Sequence, residues 1–179
     1  AVRDGDEWVI NGMKRWNTGV HIATHDIIFA RTSGDPGSPV GISAFLVPCD
    51  TPGFEVEFYW WTLNMPSDHA EVSLTDVRVG SDAVFGRLDH GLELAQHFVH
   101  ENRIRQAASS LGAAQYCVDE AVAYANQRVT WGKKLSTNQG IQFPLVELHT
   151  EAAMLRQLIR QTAWLMDQSS HMEVTHQVA

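Results

Sequence analysis

The chain opens with alternation. From Glu7 to Val79, short runs rich in aliphatic, aromatic and β-branched residues recur at roughly regular spacing: "WVINGMKRW", "HDIIFAR", "GISAFLVP", "FEVEFYW" and "HAEVSLTDVRV". Runs of this length read as strands. The punctuation between them is "TSGDPGSP" (Thr32 to Pro39), "CDTPG" (Cys49 to Gly53) and "NMPSD" (Asn64 to Asp68), built from the residues that turns use. Asn11-Gly12 within the first run is the strongest short-range hairpin signal and predicts two short strands joined by a type I′ turn. In "AEVSLTDVRV" the period of two sends Val72, Leu74 and Val77 inward and Glu71, Ser73 and Thr75 outward, as a sheet buried on one face requires. This half is therefore predicted to be an antiparallel sandwich or barrel, with "TSGDPGSP" a flexible surface loop.

After Gly86 the period lengthens. Leu88, Leu92, Ala95, Val99, Ala107, Leu111, Ala114, Val118, Ala121 and Ala125 recur at three to four residues, the signature of one broad face of a long helix. Ala107, Ala108, Gly112, Ala113 and Ala114 are small enough for a neighbouring helix to approach closely. A second helix is predicted from "STNQ", where Ser136 and Gln139 have capping-box spacing, through Ile141, Leu145, Leu148, Ala152, Leu155, Ile159 and Trp164 to about Gln168. Pro144 cannot donate to the carbonyl of Gly140, so the helix is expected to bend there or to become regular only later. "SSH" at 169–171 interrupts the pattern, and "MEVTHQVA" reads as the start of a third helix. This ending, and the abrupt "AVRDGDEW" at the start, lead us to expect an interior portion of a longer sequence.

Charge then changes the picture. The chain has 179 residues, 44% of them hydrophobic, and a formal net charge of −8. That balance argues against general nucleic-acid binding, which needs a basic face. The longest apolar runs are far short of the ~20 residues of a membrane span, so no membrane role is expected. Cys49 and Cys117 have neither CxxC spacing nor disulfide density, which argues for packing roles and against zinc. Against the acidic background, "RVTWGKKL" at 128–135 stands out: Arg128, Lys133 and Lys134 surround Trp131, with no acidic residue between Glu120 and Glu147. A guanidinium fork, an indole, the Thr130 hydroxyl and the N–H groups of a helix start at 137–140 suit a nucleotide pyrophosphate with its adenosine.

These residues carry a resemblance. "RVTWGKKLSTNQGIQFPL" resembles the Arg-x-x-Phe-Gly-Lys-x-Leu…Gln-x-x-Gln segment of acyl-CoA dehydrogenases, and "KRWNTG" the Lys-x-Trp-x-Thr strand of that family. "GISAFLVPCDTPGFEV", "AEVSLTDVRV" and "LGAAQYCVDEAVAYANQR" resemble further family stretches in the same order. The resemblance implies an α+β chain: an antiparallel β-sandwich or barrel over 1–84, the family's middle domain, followed over 85–179 by long antiparallel helices of an incomplete four-helix bundle. It implies FAD as cofactor, with Arg128, Thr130, Trp131 and Gln139 reaching the adenosine diphosphate half of a partner subunit's FAD. Trp16 and Thr18 match the strand beside the flavin ring, where Thr would donate near N5 and Trp would cover one face; their i, i+2 spacing directs both to one side. Trp131 replaces the usual Phe, Asn138 the usual aromatic or His, and Lys134 stands where Pro or a neutral residue is common.

The implied reaction is α,β-dehydrogenation of an acyl-CoA thioester to a trans-2-enoyl-CoA, in a homodimer or homotetramer, with electron-transfer flavoprotein or oxygen as electron acceptor. Some subgroups place the catalytic Glu just before the residue matched by Arg103, but here that place holds Asn102. Glu101 is one residue earlier and so turned about 100° around the helix. The base is therefore unassigned, Arg103 is a substrate-binding candidate, and the chain alone is expected to be inactive. An acyl-CoA oxidase and a non-catalytic oligomerisation module are the alternatives. The family occurs in mitochondria, peroxisomes and bacterial cytoplasm.

Overall fold

The computed structural model describes residues 1–169 together with Val174 and Val178. The third helix expected at 172–179 otherwise lies outside the described residues; Val174 and Val178 are both buried. The chain forms two compact units, residues 1–96 and 97–179.

The first unit is an antiparallel β structure. One sheet has the order β1 (Val2–Asp4), β2 (Glu7–Thr18), β6 (Met65–Gly80), β5 (Phe54–Thr62); a second has β3 (His25–Arg31), β4 (Ile42–Pro48), β7 (Val84–Phe85). The core is built from alternate positions of these strands, including Ile10, Ile28, Phe45, Val47, Val72 and Val77. Trp8 of β2 packs edge-on against Phe45 of β4 at 5.5 Å, joining the two sheets.

Three local expectations fail for long-range reasons. Asn11-Gly12 is not a hairpin: β2 runs unbroken and pairs with the 16-residue β6, with a register shift between Ile10 and Gly12. The Asn11 side chain instead donates to Asp76 Oδ1 (3.0 Å) and accepts from the Asp76 backbone N–H (2.8 Å). The tight turn falls at Leu63-Asn64, between the paired Thr62 and Met65, where both residues have positive φ as a type I′ turn demands. Met65 to Asp68 therefore belong to β6, not to a turn. Glu71, expected outward, is buried at 6% exposure, while Val72, Leu74 and Val77 are inward as expected.

The "TSGDPGSP" loop is tied down. The Arg31 guanidinium donates to two of its carbonyls, Ser33 (3.1 Å) and Ser38 (2.6 Å), and to that of Val40 just beyond it (2.9 Å). The Thr32 and Ser33 hydroxyls donate to Asp89 Oδ1 at 2.6 and 2.9 Å, fastening the loop to the segment that enters the first long helix. That helix, α1 (Gly91–Gln127), begins against β4: a Cβ on Gly91 would stand 2.7 Å from Ala44 N and Ser43 C. Leu88 precedes the helix, so it is not part of its face.

In the second unit α1 is followed by a two-strand hairpin, β8 (Val129–Thr130) and β9 (Lys133–Lys134), then by α2 (Gln139–Gln168). Residues Leu111, Val118, Ala125 and Ala152 are buried, and an open apolar groove of about 440 Å³ lies between the helices. Ala108, Gly112 and Ala113 are exposed, so α2 does not cover the whole small-residue face. Ser136 lies in a 3-10 turn; the cap of α2 is Asn138, whose side chain accepts from Gly140 N at 2.9 Å. Pro144 sits inside α2, which is already helical from Gln139, so the helix does not begin later.

Candidate functional site

In the β unit, Trp16 and Thr18 close β2. Pairing jumps from Arg15↔Glu71 to Asn17↔Ala70, leaving Trp16 in a bulge with φ 66°. The bulge interrupts the alternation on which the i, i+2 argument relied, so spacing alone does not orient the two side chains. A left-handed conformation costs a non-glycine residue about 1–2 kcal/mol. Here it presents the indole: Trp16 is 54% exposed and lies on Trp60 of β5, with centroids 4.7 Å apart and planes inclined by 31°. Phe58 meets Trp60 edge-on at 4.8 Å, and the Arg15 guanidinium carbon stands 5.8 Å from the Trp60 ring centroid.

Beneath this aromatic surface, Glu71 Oε2 is 3.1 Å from Arg15 Nε. The N–H is not aligned on it, and Glu71 Oε2 and Trp60 Nε1 are buried atoms without a hydrogen bond among the described residues. Thr18 is paired in register with His69 of β6, and its Oγ1 lies 2.7 Å from His69 Nδ1 and 3.4 Å from the Trp16 carbonyl oxygen. His69 was not singled out from the sequence; only the register of two strands 51 residues apart brings it to Thr18.

In the helical unit the cationic segment is a hairpin. Thr130↔Lys133 and Val129↔Lys134 pair, and Trp131 (φ 48°) and Gly132 (φ 77°) form the turn, the positive φ pair of type I′. The indole at its tip is 100% exposed. The hairpin is held at its base, where Arg128 N donates to the Tyr124 carbonyl (2.9 Å) and Leu135 N to the Arg128 carbonyl (2.8 Å). Among the described residues Arg128, Lys133 and Lys134 have no carboxylate within ion-pair distance. Three cations without counter-charge beside a bare indole fit an aromatic anion. The N–H donors expected free at 137–140 are partly engaged: the Leu135 carbonyl takes that of Asn138, and the Asn138 side chain that of Gly140. Gln139 is the exposed first residue of α2.

Arg103 is exposed on α1, and Asn102 beside it accepts from Arg105 Nη2 at 2.8 Å. Among the described residues there is no group of three His, Cys, Asp or Glu side chains placed to hold a metal ion, and no helix long and apolar enough to cross a membrane. Cys49 is half-buried, whereas Cys117, expected to pack, is exposed at the helix groove.

The profile of the acyl-CoA dehydrogenase middle domain matches residues 1–77, and that of the acyl-CoA dehydrogenase C-terminal domain matches residues 89–179. The chain belongs to the acyl-CoA dehydrogenase family. It is 36% identical over 168 residues to the probable acyl-CoA dehydrogenase YngJ of Bacillus subtilis, covering 93% of this chain and 44% of that one. It is 35% identical to the human mitochondrial short-chain specific acyl-CoA dehydrogenase, covering 93% and 40%. A putative acyl-CoA dehydrogenase from Mycobacterium abscessus superposes with a TM-score of 0.86 at 31% identity, covering 99% of this chain and 45% of that one. The butyryl-CoA dehydrogenase of Megasphaera elsdenii gives 0.76 at 30%, covering 90% and 43%. The chain thus spans less than half the length of these relatives. Its antiparallel sheets and two long helices are those of the acyl-CoA dehydrogenase middle and C-terminal domains.

Proposed function

We propose that this chain carries flavin-binding elements of an FAD-dependent acyl-CoA dehydrogenase that converts an acyl-CoA thioester to its trans-2-enoyl-CoA. The observation that carries the reading is the 128–134 hairpin, with its wholly exposed indole and its cations without carboxylate partners among the described residues. Arg128 supplies a forked donor for a phosphate oxygen, Lys133 and Lys134 add positive potential, and Trp131 offers a stacking face for adenine. Thr130 and Gln139 complete the polar contacts. The cofactor is held in trans, by a partner copy in a homodimer or homotetramer, and Arg103 contributes to substrate binding.

When bound, FAD would supply the hydride acceptor. Trp16 would cover one face of its ring, and Thr18 would offer a hydroxyl to its reactive edge. Neither Asn102 nor any carboxylate described above is placed as the α-proton base, so we propose that the 179 residues alone do not turn over acyl-CoA. Electron-transfer flavoprotein or oxygen would serve as the electron acceptor.

Titration of the chain with FAD, followed by quenching of tryptophan fluorescence, tests this. Arg128→Gln should weaken binding about ten- to a hundredfold, the worth of a charge-assisted hydrogen bond. Trp131→Ala should weaken it too, while leaving the melting temperature unchanged. Wild-type affinity in both variants would sink the reading. Turnover by the isolated chain with acyl-CoAs and an artificial acceptor would sink the expectation of inactivity.

A further inference from the structure

We propose that His69 is a positioning residue that orients the Thr18 hydroxyl toward the flavin. This rests on the reading of Thr18 as a flavin contact. Thr18 and His69 are direct partners in the β2–β6 ladder, so their side chains share a face. Their 2.7 Å contact is the shortest the Thr18 hydroxyl makes among the described residues.

A hydroxyl has one proton, and the direction in which it points depends on who donates across the His69 contact. If Nδ1 carried a lone pair, the Thr18 proton would be spent on the imidazole. Asp68 decides against that: its Oδ1 lies 3.5 Å from the same Nδ1, and a carboxylate there favours a proton on that nitrogen, in the neutral ring and in the cation alike. Nδ1–H then donates to Thr18 Oγ1, and the Thr18 proton is free to point elsewhere. Its protein alternative, the Trp16 carbonyl, is distant at 3.4 Å. The hydroxyl is thereby prepared as a donor, which suits a ring nitrogen that holds a lone pair and no proton, as N5 of an oxidised flavin does. His21 and Tyr59 are the other titratable groups around the recess that Asp68 lines. His69 is part-exposed, with 37% of its side chain accessible, so its replacement does not open a core.

Oxidised and dithionite-reduced FAD are titrated separately into the wild-type chain, His69→Leu, His69→Asn and Thr18→Val. His69→Leu should weaken oxidised FAD about three- to tenfold, the ratio that one ordinary hydrogen bond supplies, and reduced FAD less, so that the midpoint potential moves positive. His69→Asn places an amide N–H where Nδ1–H stands and should restore oxidised-form affinity to within about twofold. Equal losses for both redox forms, or no rescue by Asn, overturn the assignment. Thr18→Val weakening FAD while His69→Leu does not removes only His69. Thr18→Val without effect removes the reading of Thr18 itself, and a wild-type chain that binds no FAD removes the cofactor reading and this inference together.

Discussion

The two units differ in how much apolar surface they can hide alone. In residues 1–96 Phe45, Val47, Ala70, Val72 and Val77 are at 0% exposure. In residues 97–179 a narrow stripe is buried, while Phe98, Tyr124, Phe143 and Trp164 each remain more than half exposed. The reason is geometric: sheets can close over a common inner face, whereas two helices meet along one line and leave the rest of each cylinder open. The β unit can therefore hold strained features, such as the Trp16 bulge, against a rigid core. In the helical unit the exposed hairpin depends on its own turn chemistry and on two backbone bonds at its base.

Truncating each core is the strongest way to break this contrast. Phe45→Ala should cost about 3–5 kcal/mol, and Leu111→Ala about 2 kcal/mol, the low end for such a change because its site already opens onto a groove. Urea unfolding of both variants, followed by near-UV signals, reads the difference; equal losses would show that the helical unit is packed as tightly as the β unit.

A smaller effect is expected at Arg31, where the β unit secures a loop by side-chain chemistry. Arg31→Gln removes charge-assisted bonds to three carbonyls and should speed subtilisin cleavage between Ser33 and Val40 about tenfold or more. Unchanged cleavage would mean that the Asp89 contacts suffice.

The smallest effect is that of Asp89 itself. Hydrogen bonds from Thr32, then Ser33, hold its carboxyl below the ordinary value of 3.8. A group whose pKa falls on folding adds stability that is complete above the unfolded value and fades as pH drops through the folded one. Amide-exchange protection of residues 32–40 should therefore decline as pH falls below about 3.8, and Asp89→Asn should abolish that dependence. Protection that declines identically in the variant would point to another carboxylate.

Much of the fold was legible because it repeats. Strands β3, β4 and β5 lie within the short runs rich in aliphatic, aromatic and β-branched residues, and the two long helices where a period of three to four placed them, since strand-forming composition and helical faces are properties of the chain itself. Single-residue chemistry was less legible. Ser136 has capping-box spacing, yet Asn138 caps, because the 3-10 turn at 135–137 delays the helix start. Glu71 obeys the outward parity of its strand in sequence but not in space, for bulges in both β2 and β5 fall beside it. Of the proposed site, Arg128 to Lys134 was visible as a local cluster, and the structure adds only that it is a hairpin with the indole at its tip. His69 was invisible, lying among ordinary strand residues until β6 paired with β2.

By itself the sequence determined which segments are strands and which are helices, and it concentrated positive charge and an indole in one short stretch of an acidic chain. Tertiary structure alone decided that β2 runs on through Asn11-Gly12, that Glu71 is buried and which side chain faces Thr18. Asn11-Gly12 states the reason: its local preference for a tight turn is worth little beside the ladder of hydrogen bonds and the apolar face gained when β2 continues along β6. Short-range signals are thus obeyed only where no distant segment offers a larger free energy for disobeying them.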